Sequence, residues 1–430
     1  MSVMAGFIPA IHVGVRVTSS SAIGTTWMPG TSPGMTKKKM ASDSLPLAGI
    51  WVAEFGHTIL GPSCGMILAD LGAEVIKVEP PEGDRTRRLK GFGTGYFGFF
   101  NRNKRSLALD LKSPAGKAAA LRLIKRADVV IENFAPGTMG RLGLDYAAAA
   151  AANPKLIYCS LKGFLPGPYE QRAALDEVVQ MMSGLAYMTG PTGRPLRAGA
   201  SVVDIMGGTF GALAIVTALR QRDHDGRGRL VEASLFESAA FLMGQHLAYA
   251  ALSDKPVPPM PERVSAWAIY DPFETQDGEK LFIGITSDQQ WERFCRAFGR
   301  SDLAADESLR TNNQRIAARP RLMPALAELF KRLPLAEAER LAAEADISYA
   351  RVARPEDLFD DPHLNASGGF LHTTLPGGVR TKLPQLPLRI ADMPRNLRRE
   401  PPETGEHSRE ILAALGYANH EIDQLLKVPT

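Results

Sequence analysis

The chain has little cysteine and no obvious set of metal ligands. Only Cys64, Cys159 and Cys295 occur in 430 residues, and they lie far apart. Their spacing matches neither a zinc site nor a disulfide framework. We therefore expect no bound metal and a reducing, cytoplasmic location.

The sequence also lacks long apolar runs and a strong excess of one charge. No run reads as long enough to span a bilayer. The formal charge is +4 and the basic residues are spread along the chain, which argues against a nucleic-acid partner. The composition, 45% hydrophobic and 22% charged, is typical of a soluble globular protein without a membrane partner. A mildly basic chain suits an anionic small molecule.

Glycine motifs for nucleotide binding are absent too. The first strand-to-helix turn reads EFGHTILGPS, which lacks G-x-G-x-x-G, and no P-loop occurs. The segment GFGTG (91–95) does not stand between a strand and a helix, and we interpret it as a loop. These absences exclude a nicotinamide-type Rossmann chain.

The N-terminal segment differs in composition from the rest. Residues 1–40 contain no Asp or Glu, are rich in Ser, Thr and Gly, and resemble a transit peptide only weakly. We expect residues 1–44 to be either a disordered extension or an over-long start with the initiator at Met40, and to lie outside the fold.

From Leu45 onwards, strand and helix patterns alternate. The strand pattern PLAGIWVAEF, a helix at 61–73 and the strand pattern EVIKVEPP form one strand–helix–strand unit. A second round contains SLALDL, a helix capped by Ser113 with Pro114 at its first position and running to about Arg126, then ADVVIENF and LIYCSLKGF. This repetition predicts an α/β fold with a doubly wound, Rossmann-like parallel sheet.

Composition changes divide the chain further. The proline-rich segment SDKPVPPMP (253–261) reads as a linker. Beyond it, an alternating segment with Asp277-Gly278 as a hairpin turn, followed by helical patterns, indicates a smaller α+β domain. We therefore expect a large domain at 45–255, a small domain at 256–368, and a C-terminal segment at 369–430 that returns to the large domain.

Asp204 stands out in the segment ASVVDIMGGTFGALAIVTAL. Apolar neighbours predict burial, and Gly207, Gly208 and Gly211 leave room for backbone or a ligand to come close. A buried carboxylate is costly unless something binds it or it reacts. Two interpretations stay open: Asp204 caps the following helix, or it is a reactive group.

Several stretches together resemble the class III CoA-transferases, which include formyl-CoA:oxalate and carnitine CoA-transferases and share a fold with 2-methylacyl-CoA racemase. They are GPSCGMILADLGAEVIKVEPPEGDRTR, NRNKRSLALDLKSPAG, DVVIENFAPGTMGRLGLDY, NPKLIYCSLKGFLPGPY and the Asp204 segment through GRGRLVEASLFESA. They cover nearly all of 45 to about 240, whereas the C-terminal part matches in outline only.

The resemblance implies a role for each matching residue. Asp204 falls on the nucleophilic aspartate of the family, and Asp176 falls on an acidic position beside it. The positions that contact CoA in the family correspond to His57, Ile59, Leu60, Asn101, Asn103, Asn133, Phe134, Arg141 and Arg172. The first three of these belong to the loop that holds the thiol end of CoA. Arg141 corresponds to an arginine that meets phosphate, a contact that suits a guanidinium group.

Four of these residues also have plain structural interpretations. Asn133 could shape the turn before Ala135-Pro136-Gly137. Arg141 could be a solvated surface residue, and His57 could be a core or turn histidine. Asp176 could be an ordinary N-cap.

The chain departs from two branches of the family. Where racemases have a histidine and a glutamate, this chain has Leu175 and Ser287, so it lacks the acid–base pair that α-proton transfer needs. Where the oxalate enzyme has a glutamine, this chain has Ile59, and its glycine-rich loop is replaced by PERVSAWAIYDPF. Oxalate is therefore not expected. The stretch from 161 to 204 looks most similar to members acting on C4–C5 dicarboxylyl-CoAs, such as mesaconyl-CoA C1–C4 transferase.

The resemblance implies an enzyme that moves CoA between carboxylic acids through an aspartyl-acyl anhydride and an aspartyl-CoA thioester at Asp204. Acyl-CoA and an acceptor acid are then substrates, no permanently bound cofactor is needed, and an intertwined homodimer is expected. Backbone N–H groups near Gly207 and Gly208, or in a small-domain loop, are candidates to stabilise the oxyanion. The alternatives are a 2-methylacyl-CoA racemase, a CoA-binding protein without catalysis, and an interaction protein that uses the basic N-terminal segment.

Overall fold

A parallel sheet forms the centre of this computed structural model, which describes residues 45–253, 255–263 and 266–426. The extension expected at 1–44 lies outside the described residues. Within the described part, the sheet has six strands: β1 (Trp51–Phe55), β2 (Glu74–Glu79), β3 (Lys104–Ala108), β4 (Val129–Glu132), β5 (Ile157–Lys162) and β6 (Arg229–Ser234). They pair in the order β3-β2-β1-β4-β5-β6, and each pairing is parallel. The chain therefore winds outward from β1 in both directions, and the predicted α/β doubly wound sheet is confirmed.

Helices connect these strands and cover both faces of the sheet. They are α1 (Leu60–Asp70), α2 (Tyr96–Phe100), α3 (Pro114–Arg126), α4 (Thr138–Leu142), α5 (Tyr146–Ala152), α6 (Asp176–Met182), α7 (Leu185–Thr189), α8 (Val202–Asp225), α9 (Leu235–Leu242) and α10 (Gly244–Leu252). Short 3-10 helices span Arg85–Arg88 and Gly91–Gly95. The segment GFGTG, which we interpreted as a loop, thus has helical turns.

The two faces of the sheet bury different helices. In β1, Val52 packs with residues of α1 and α8, whereas Ala53 and Phe55 pack on the other face with α3 and α5. All three side chains are fully buried. This is typical of parallel strands that are covered by helices on both sides.

The start and end of α3 follow the predicted signals. Ser113 Oγ accepts the N–H of Gly116 at 3.0 Å, and Pro114 occupies the first position of the helix. The helix ends at Arg126 as predicted, and its last turn carries two basic residues, which favour the negative end of the helix dipole.

A second, antiparallel sheet follows the proline-rich segment 253–261. Its strands are β7 (Ile269–Glu274), β8 (Lys280–Ile285) and β9 (Ser348–Arg351). The predicted hairpin turn at Asp277-Gly278 is confirmed, and Gly278 has a φ of 76°, which favours glycine. The helices of this region are α11 (Asp288–Ala297), α12 (Ser301–Ala304), α13 (Asn312–Ala317), α14 (Arg319–Phe330), α15 (Leu335–Glu344) and α16 (Pro362–Ala366), with 3-10 helices at Glu307–Leu309 and Pro355–Asp360. Their buried residues form a core of their own, centred on Trp291, Phe294 and Phe330.

The C-terminal segment packs against the parallel sheet. It contains the hairpin strands β10 (Phe370–Thr374) and β11 (Arg380–Pro384), then α17 (Ser408–Ala414) and α18 (Asn419–Leu425). The N–H of His407 donates to the carbonyl of Ser106 on β3 at 3.1 Å. Ile411 and Leu412 are buried in the same cluster as α3. The division into domains at 45–255, 256–368 and 369–430 stays a prediction.

The length of α8 corrects one expectation. We expected no apolar run long enough to span a bilayer, but α8 has 24 residues and meets that criterion by length and composition. In the sequence, Asp204 and the nearby glycines interrupt the apolar residues, although all of them belong to one continuous helix. The helix packs against α1 and the sheet, where Val203, Ala212 and Ile215 are buried. A core helix of this kind passes the same test as a membrane span, so the result is weak support for a membrane location.

Candidate active site

The fold places a candidate site where the winding direction of the sheet reverses. In doubly wound sheets, ligands bind beyond the carboxyl ends of the two strands at this point, which here are β1 and β4. The N–H of His57, after β1, donates to Asn133 Oδ1 at 2.9 Å, and Asn133 Nδ2 donates to the His57 carbonyl at 3.1 Å. Asn133 therefore ties the two strand-end loops together, rather than only shaping its own turn.

A cleft of about 410 Å³ opens at this point. A neighbouring cavity of about 280 Å³ shares three of its lining residues, which are His57, Arg85 and Phe134. The cleft brings together both predicted catalytic residues and several predicted CoA contacts: Asp204, Asp176, His57, Leu60, Asn133, Phe134 and Arg172.

Glycines in α8 allow this helix to cross α1 at close range. A Cβ at position 208 would stand 2.0 Å from Ser63 Oγ and 2.8 Å from the carbonyl oxygen of Leu60. A Cβ at Gly207 would stand 2.8 Å from Leu60 Cδ1. The glycines thus admit the backbone of α1 rather than a ligand. Because Gly207 and Gly208 lie inside α8 and are buried, their N–H groups do not fit the expected oxyanion role.

Asp204 lies in the first turn of α8, but it does not cap the helix. The N-cap position belongs to Ser201, and among the described residues no donor bonds to the Asp204 carboxylate. Burial, and then the nearby charge of Asp176, raise the pKa of Asp204 to about 7, while Arg197 acts in the opposite direction. The capping interpretation is therefore wrong, and a desolvated carboxylate without hydrogen bonds is available for reaction.

Asp176, the first residue of α6, supplies a cap for α8. Its Oδ2 accepts the N–H of Val203 at 2.9 Å and the N–H of Asp204 at 3.1 Å. Its Oδ1 accepts a hydrogen bond from Gln180 Nε2. Asp176 is not the N-cap of its own helix, because the helix begins with it. It instead fixes the start of α8, and with it the position of Asp204.

His57 is held neutral beside the cleft. Burial, and then the charge of Arg85, lower the pKa of His57 to about 4. Its Nδ1 lies 2.8 Å from Thr58 Oγ1, and its ring stacks on Phe134 with 5.7 Å between the centroids. Thr58 has a φ of 66°, an unusual and strained value for a β-branched residue. At neutral pH the imidazole is therefore a fixed wall of the cleft and not a cation.

Lys162, at the end of β5, is a cation of the cleft that the sequence analysis missed. Its Nζ lies 2.7 Å from the Glu132 carboxylate and donates to the carbonyl of Phe134 at 2.8 Å. Glu132 also accepts the N–H of Phe134 at 3.1 Å and the hydroxyl of Ser160 at 2.6 Å. This network fixes the loop that carries Asn133 and Phe134.

The N-terminus of α1 also lies at the cleft. Ile59 occupies the N-cap position, where its side chain cannot accept a hydrogen bond, and Leu60 follows as the first helical residue and lines the cleft. The N–H groups of an uncapped first turn carry partial positive charge and favour an anion. Ile59 itself is 2% exposed and is absent from the cleft lining. Its side chain packs with the buried residues Met66 and Phe100.

The basic residues of the predicted CoA site lie in different places. Arg172 lines the cleft, with its guanidinium 4.9 Å from the ring centroid of Tyr169. Arg141 is exposed on α4, donates to Thr138 Oγ1 at 2.9 Å, and does not line the cleft. Arg85 lines both cavities, although nothing in the sequence distinguishes it from other loop arginines.

Asn101 and Asn103 are buried and do not line the cleft. Asn101 Oδ1 accepts from Lys104 Nζ at 3.1 Å. Asn103 Nδ2 donates to Asp70 Oδ1 at 2.8 Å, and its Oδ1 accepts the N–H of Arg398 at 2.7 Å. Both amides thus serve internal contacts, and Asn103 attaches the C-terminal segment to the sheet. Their contact with CoA stays a prediction.

No group of three His, Cys, Asp or Glu side chains in the described residues is placed to hold a metal ion. The three cysteines are free and buried. Burial raises the pKa of the Cys64 thiol well above its usual value, so this group stays protonated.

Comparison with known proteins adds an independent observation. A family model described as CoA-transferase family III matches residues 47–408. The chain is 35% identical to the succinate–glutarate CoA-transferase of Agrobacterium fabrum, over 86% of this chain and 96% of that protein. It is 33% identical to a formyl-CoA:oxalate CoA-transferase of Bradyrhizobium diazoefficiens, over 89% and 96%. The crystal structure of a CaiB/BaiF family protein from Brucella suis superimposes with a TM-score of 0.78 at 34% identity, covering 86% of this chain and 99% of that one.

Proposed function

We propose, since the chain belongs to CoA-transferase family III, that it moves CoA between two carboxylic acids with Asp204 as the covalent nucleophile. The observation that carries the proposal is the state of Asp204. Its carboxylate lies at the cleft, is desolvated, and has no hydrogen-bond donor among the described residues. A carboxylate in this state is a better nucleophile than one that is hydrated or that caps a helix.

The proposed reaction has four covalent steps. The Asp204 carboxylate attacks the thioester carbonyl of acyl-CoA, which gives an acyl anhydride and releases the CoA thiolate. The thiolate attacks the aspartyl carbonyl, which releases the donor acid and leaves a CoA thioester on Asp204. The acceptor carboxylate attacks this thioester, forms a second anhydride and again releases the thiolate. The thiolate then attacks the acceptor acyl carbonyl, which gives the new acyl-CoA and frees Asp204.

Two features of the cleft support this chemistry. The thiolate and the oxyanions carry negative charge, and the N-terminus of α1 at Leu60 presents positive dipole charge to the cleft. Leu161, Leu175 and Leu235 give the cleft apolar walls, which would limit hydrolysis of the anhydride by water once a substrate fills the cleft. CoA enters as a substrate, and the proposal includes no permanently bound cofactor.

We propose C4–C5 dicarboxylic acids as the donor and acceptor class. Relatives of this chain include a succinate–glutarate CoA-transferase and a succinyl-CoA–D-citramalate CoA-transferase. In this chain, Arg85 and Arg172 place two guanidinium groups in the cleft wall. Such groups pair well with carboxylates and phosphates, which fits both a second carboxylate and the phosphates of CoA.

We propose that the enzyme is a cytoplasmic homodimer. Large apolar side chains stand exposed on the outer faces of three consecutive helices, α8 to α10: Ile205, Leu213, Val216, Phe241, Leu247 and Leu252. Exposed apolar side chains on neighbouring helices are typical of protein–protein interfaces, and a second copy of the chain would cover them. Light scattering after size exclusion should therefore give about twice the 46.5 kDa of one chain.

Covalent trapping tests the role of Asp204. Acyl-CoAs of several acids are incubated with the protein, and intact and peptide masses are recorded after quenching. The wild type should carry acyl or CoA adducts on Asp204, and hydroxylamine should modify this residue during turnover. Asp204→Ala and Asp204→Asn should lose transfer by several orders of magnitude while they still bind CoA.

A matched variant and a panel of acids complete this test. Asp223→Asn changes an exposed aspartate of the same helix and should leave transfer intact. Exchange of CoA among acids of different length and charge, followed by mass spectrometry, identifies the donor and acceptor. An Asp204→Ala protein that keeps more than a tenth of the wild-type rate would contradict the proposed nucleophile.

A further inference from the structure

Arg197, in the loop before α8, lies beside Asp176, the carboxylate that caps α8. Its Nη2 is 3.9 Å from Asp176 Oδ1, its Nη1 bonds to the carboxylate of Glu177, and its Nε donates to the carbonyl of Ala198 at 2.9 Å. These contacts hold the guanidinium in one place. Asp176 thus contacts Arg197 through one oxygen and the backbone N–H of Asp204 through the other.

Asp176 and Arg197 act on the ionisation of Asp204 in opposite directions. Asp176 disfavours ionisation of Asp204, whereas Arg197 favours it. Arginine stays charged at every pH at which proteins fold. An opposite charge within about 4–6 Å lowers a carboxyl pKa by roughly 1–3 units. Arg197 is therefore placed to offset the cost of holding two carboxylates side by side.

Other titratable groups near α8 do not supply this positive charge. The elements packed against the helix carry Cys64 and Asp70 on α1, Tyr158, Cys159 and Lys162 on β5, Asp176 and Glu177 on α6, Arg229 and Glu232 on β6, and Glu237 on α9. Asp70 is paired with Arg102, and Arg229 is paired with Asp225 at the C-terminal end of α8. Lys162 is paired with Glu132, and Glu237 bonds to Ser234. The cleft also carries His57, which is neutral, together with Arg85 and Arg172. Of all these groups, Asp176 and Arg197 act on the charge of Asp204.

We propose that Arg197 is a positioning residue, the counter-ion of the Asp176–Asp204 pair that keeps Asp204 ionised for attack on the thioester. This role rests on the proposed function of Asp204 as the nucleophile. Arg197 acts through Asp176 and through its charge, and it does not line the cleft itself. Its removal should therefore change the pH dependence of the reaction more than its maximal rate.

A pre-steady-state experiment measures this effect. The rate at which the acyl or CoA adduct forms on Asp204 is followed by quenched-flow mass spectrometry from pH 5 to pH 9. In the wild type the rate should rise with pH through about 7, because the ionised carboxylate is the nucleophile. In Arg197→Gln the midpoint of this rise should lie about one pH unit higher. Adduct formation should then be roughly tenfold slower than in wild type at pH 6 and close to the wild-type rate at pH 9. Arg197→Lys keeps the positive charge, so its pH profile should lie close to that of wild type.

Two controls separate charge from structure. Glu177→Gln keeps a hydrogen-bond acceptor for Arg197 but removes a negative charge beside it. The rise of the adduct-formation rate with pH should therefore keep its wild-type midpoint or move to lower pH. Arg194→Gln changes an exposed arginine of the same loop and should move nothing. If Arg197 only tethered the loop to Glu177, Arg197→Gln and Glu177→Gln would change the profile alike, and that result contradicts the proposal.

The outcomes also distinguish this inference from the proposed function. A wild-type protein that forms no adduct on Asp204 overturns the proposed function and the role of Arg197 with it. A wild-type adduct on Asp204, together with the same pH profile in Arg197→Gln, leaves the nucleophile in place and overturns the counter-ion. A loss of rate in Arg197→Gln that is equal at every pH, in a protein that unfolds at the wild-type temperature, overturns it as well.

Discussion

The Oδ2 atom of Asp176 accepts the backbone N–H of Asp204 at 3.1 Å, so one carboxylate fixes the position of the other. The same oxygen accepts the N–H of Val203 at 2.9 Å, and Asp176 therefore caps α8 from another helix. The cap positions Asp204 at the cleft and also makes its ionisation harder. The Asp176 side chain thus both fixes the position of Asp204 and raises the pKa of its carboxyl group.

Substitution of Asp176 should show how much its cap stabilises the fold. Asp176→Ala removes both accepted N–H bonds and should lower the free energy of unfolding by about 1–3 kcal/mol. Asp176→Asn keeps one oxygen acceptor and should lose less stability. Urea unfolding at pH 7 measures both, and equal losses in the two variants would contradict the cap.

The pKa of Asp204 predicts how stability depends on pH. This pKa is raised from 3.8 to about 7, so the folded protein holds the proton more tightly than the unfolded chain. The stability that this proton supplies is complete below about pH 4 and is lost as the pH rises through 7. Asp204→Asn, which stays neutral, should thus become more stable than wild type by roughly 1–4 kcal/mol at pH 8, but not at pH 4.

Urea unfolding of wild type and Asp204→Asn at pH 4, 6 and 8 measures this trend. Asp223→Asn, an exposed change on the same helix, is the control and should show no trend with pH. A stability difference that is the same at all three pH values would show that the carboxyl pKa is not raised.

Close packing at Gly208 gives a prediction about the helix crossing. A methyl group there would meet Ser63 Oγ at 2.0 Å and backbone atoms of Leu60 and Cys64 at 2.8 and 3.0 Å. The backbone cannot yield as a side chain does, so Gly208→Ala should lower the free energy of unfolding by about 1–3 kcal/mol. It should also reduce transfer, because α8 carries Asp204. Gly244→Ala is the control, because a Cβ at Gly244 would meet no atom within 4 Å. Gly226 does not serve as a control, because its φ of 69° disfavours alanine.

The elements of the parallel sheet could be predicted because their signals are local. Alternating strand and helix patterns gave the order of elements, and the Ser113-Pro114 pair gave the start of α3. The reactive interpretation of Asp204 was also accessible, since apolar and glycine neighbours predict a buried carboxylate. Resemblance to a family added six further site residues of the cleft, which are His57, Leu60, Asn133, Phe134, Arg172 and Asp176.

The remaining parts of the site depend on contacts between distant segments. Nothing near Asp176 in sequence shows that it caps α8, and nothing near Arg197 shows that it contacts Asp176 and Glu177. Lys77 reads as a polar residue in a strand, yet its buried Nζ donates to the carbonyl of Gly56 at 2.8 Å and so supports the loop of His57. Such pairings become visible only when the fold brings the segments together.

Arg141 tests whether the CoA phosphates bind outside the cleft. Its exposed guanidinium bonds to Thr138 Oγ1 and keeps further N–H groups for an anion. If it meets phosphate, Arg141→Ala should raise the KM for acyl-CoA about ten- to a hundredfold with little change in kcat. Steady-state kinetics measure this, with Arg310→Ala, an exposed change in the smaller antiparallel region, as the control. An unchanged KM would place the phosphates elsewhere.

The chain should not exchange the α-proton of a 2-methylacyl-CoA with deuterated water. Exchange at this carbon needs a base and an acid on opposite faces, each within hydrogen-bond reach. Leu175, at the cleft, cannot carry a proton, and the hydroxyl of Ser287 caps α11 by accepting the N–H of Gln290 at 3.2 Å. His57 also lines the cleft, and its neutral imidazole could act as a base. Proton NMR measures deuterium uptake: a rate comparable to CoA transfer would contradict the transferase and favour a racemase, whereas slow uptake that disappears in His57→Ala would mark a side reaction of the imidazole.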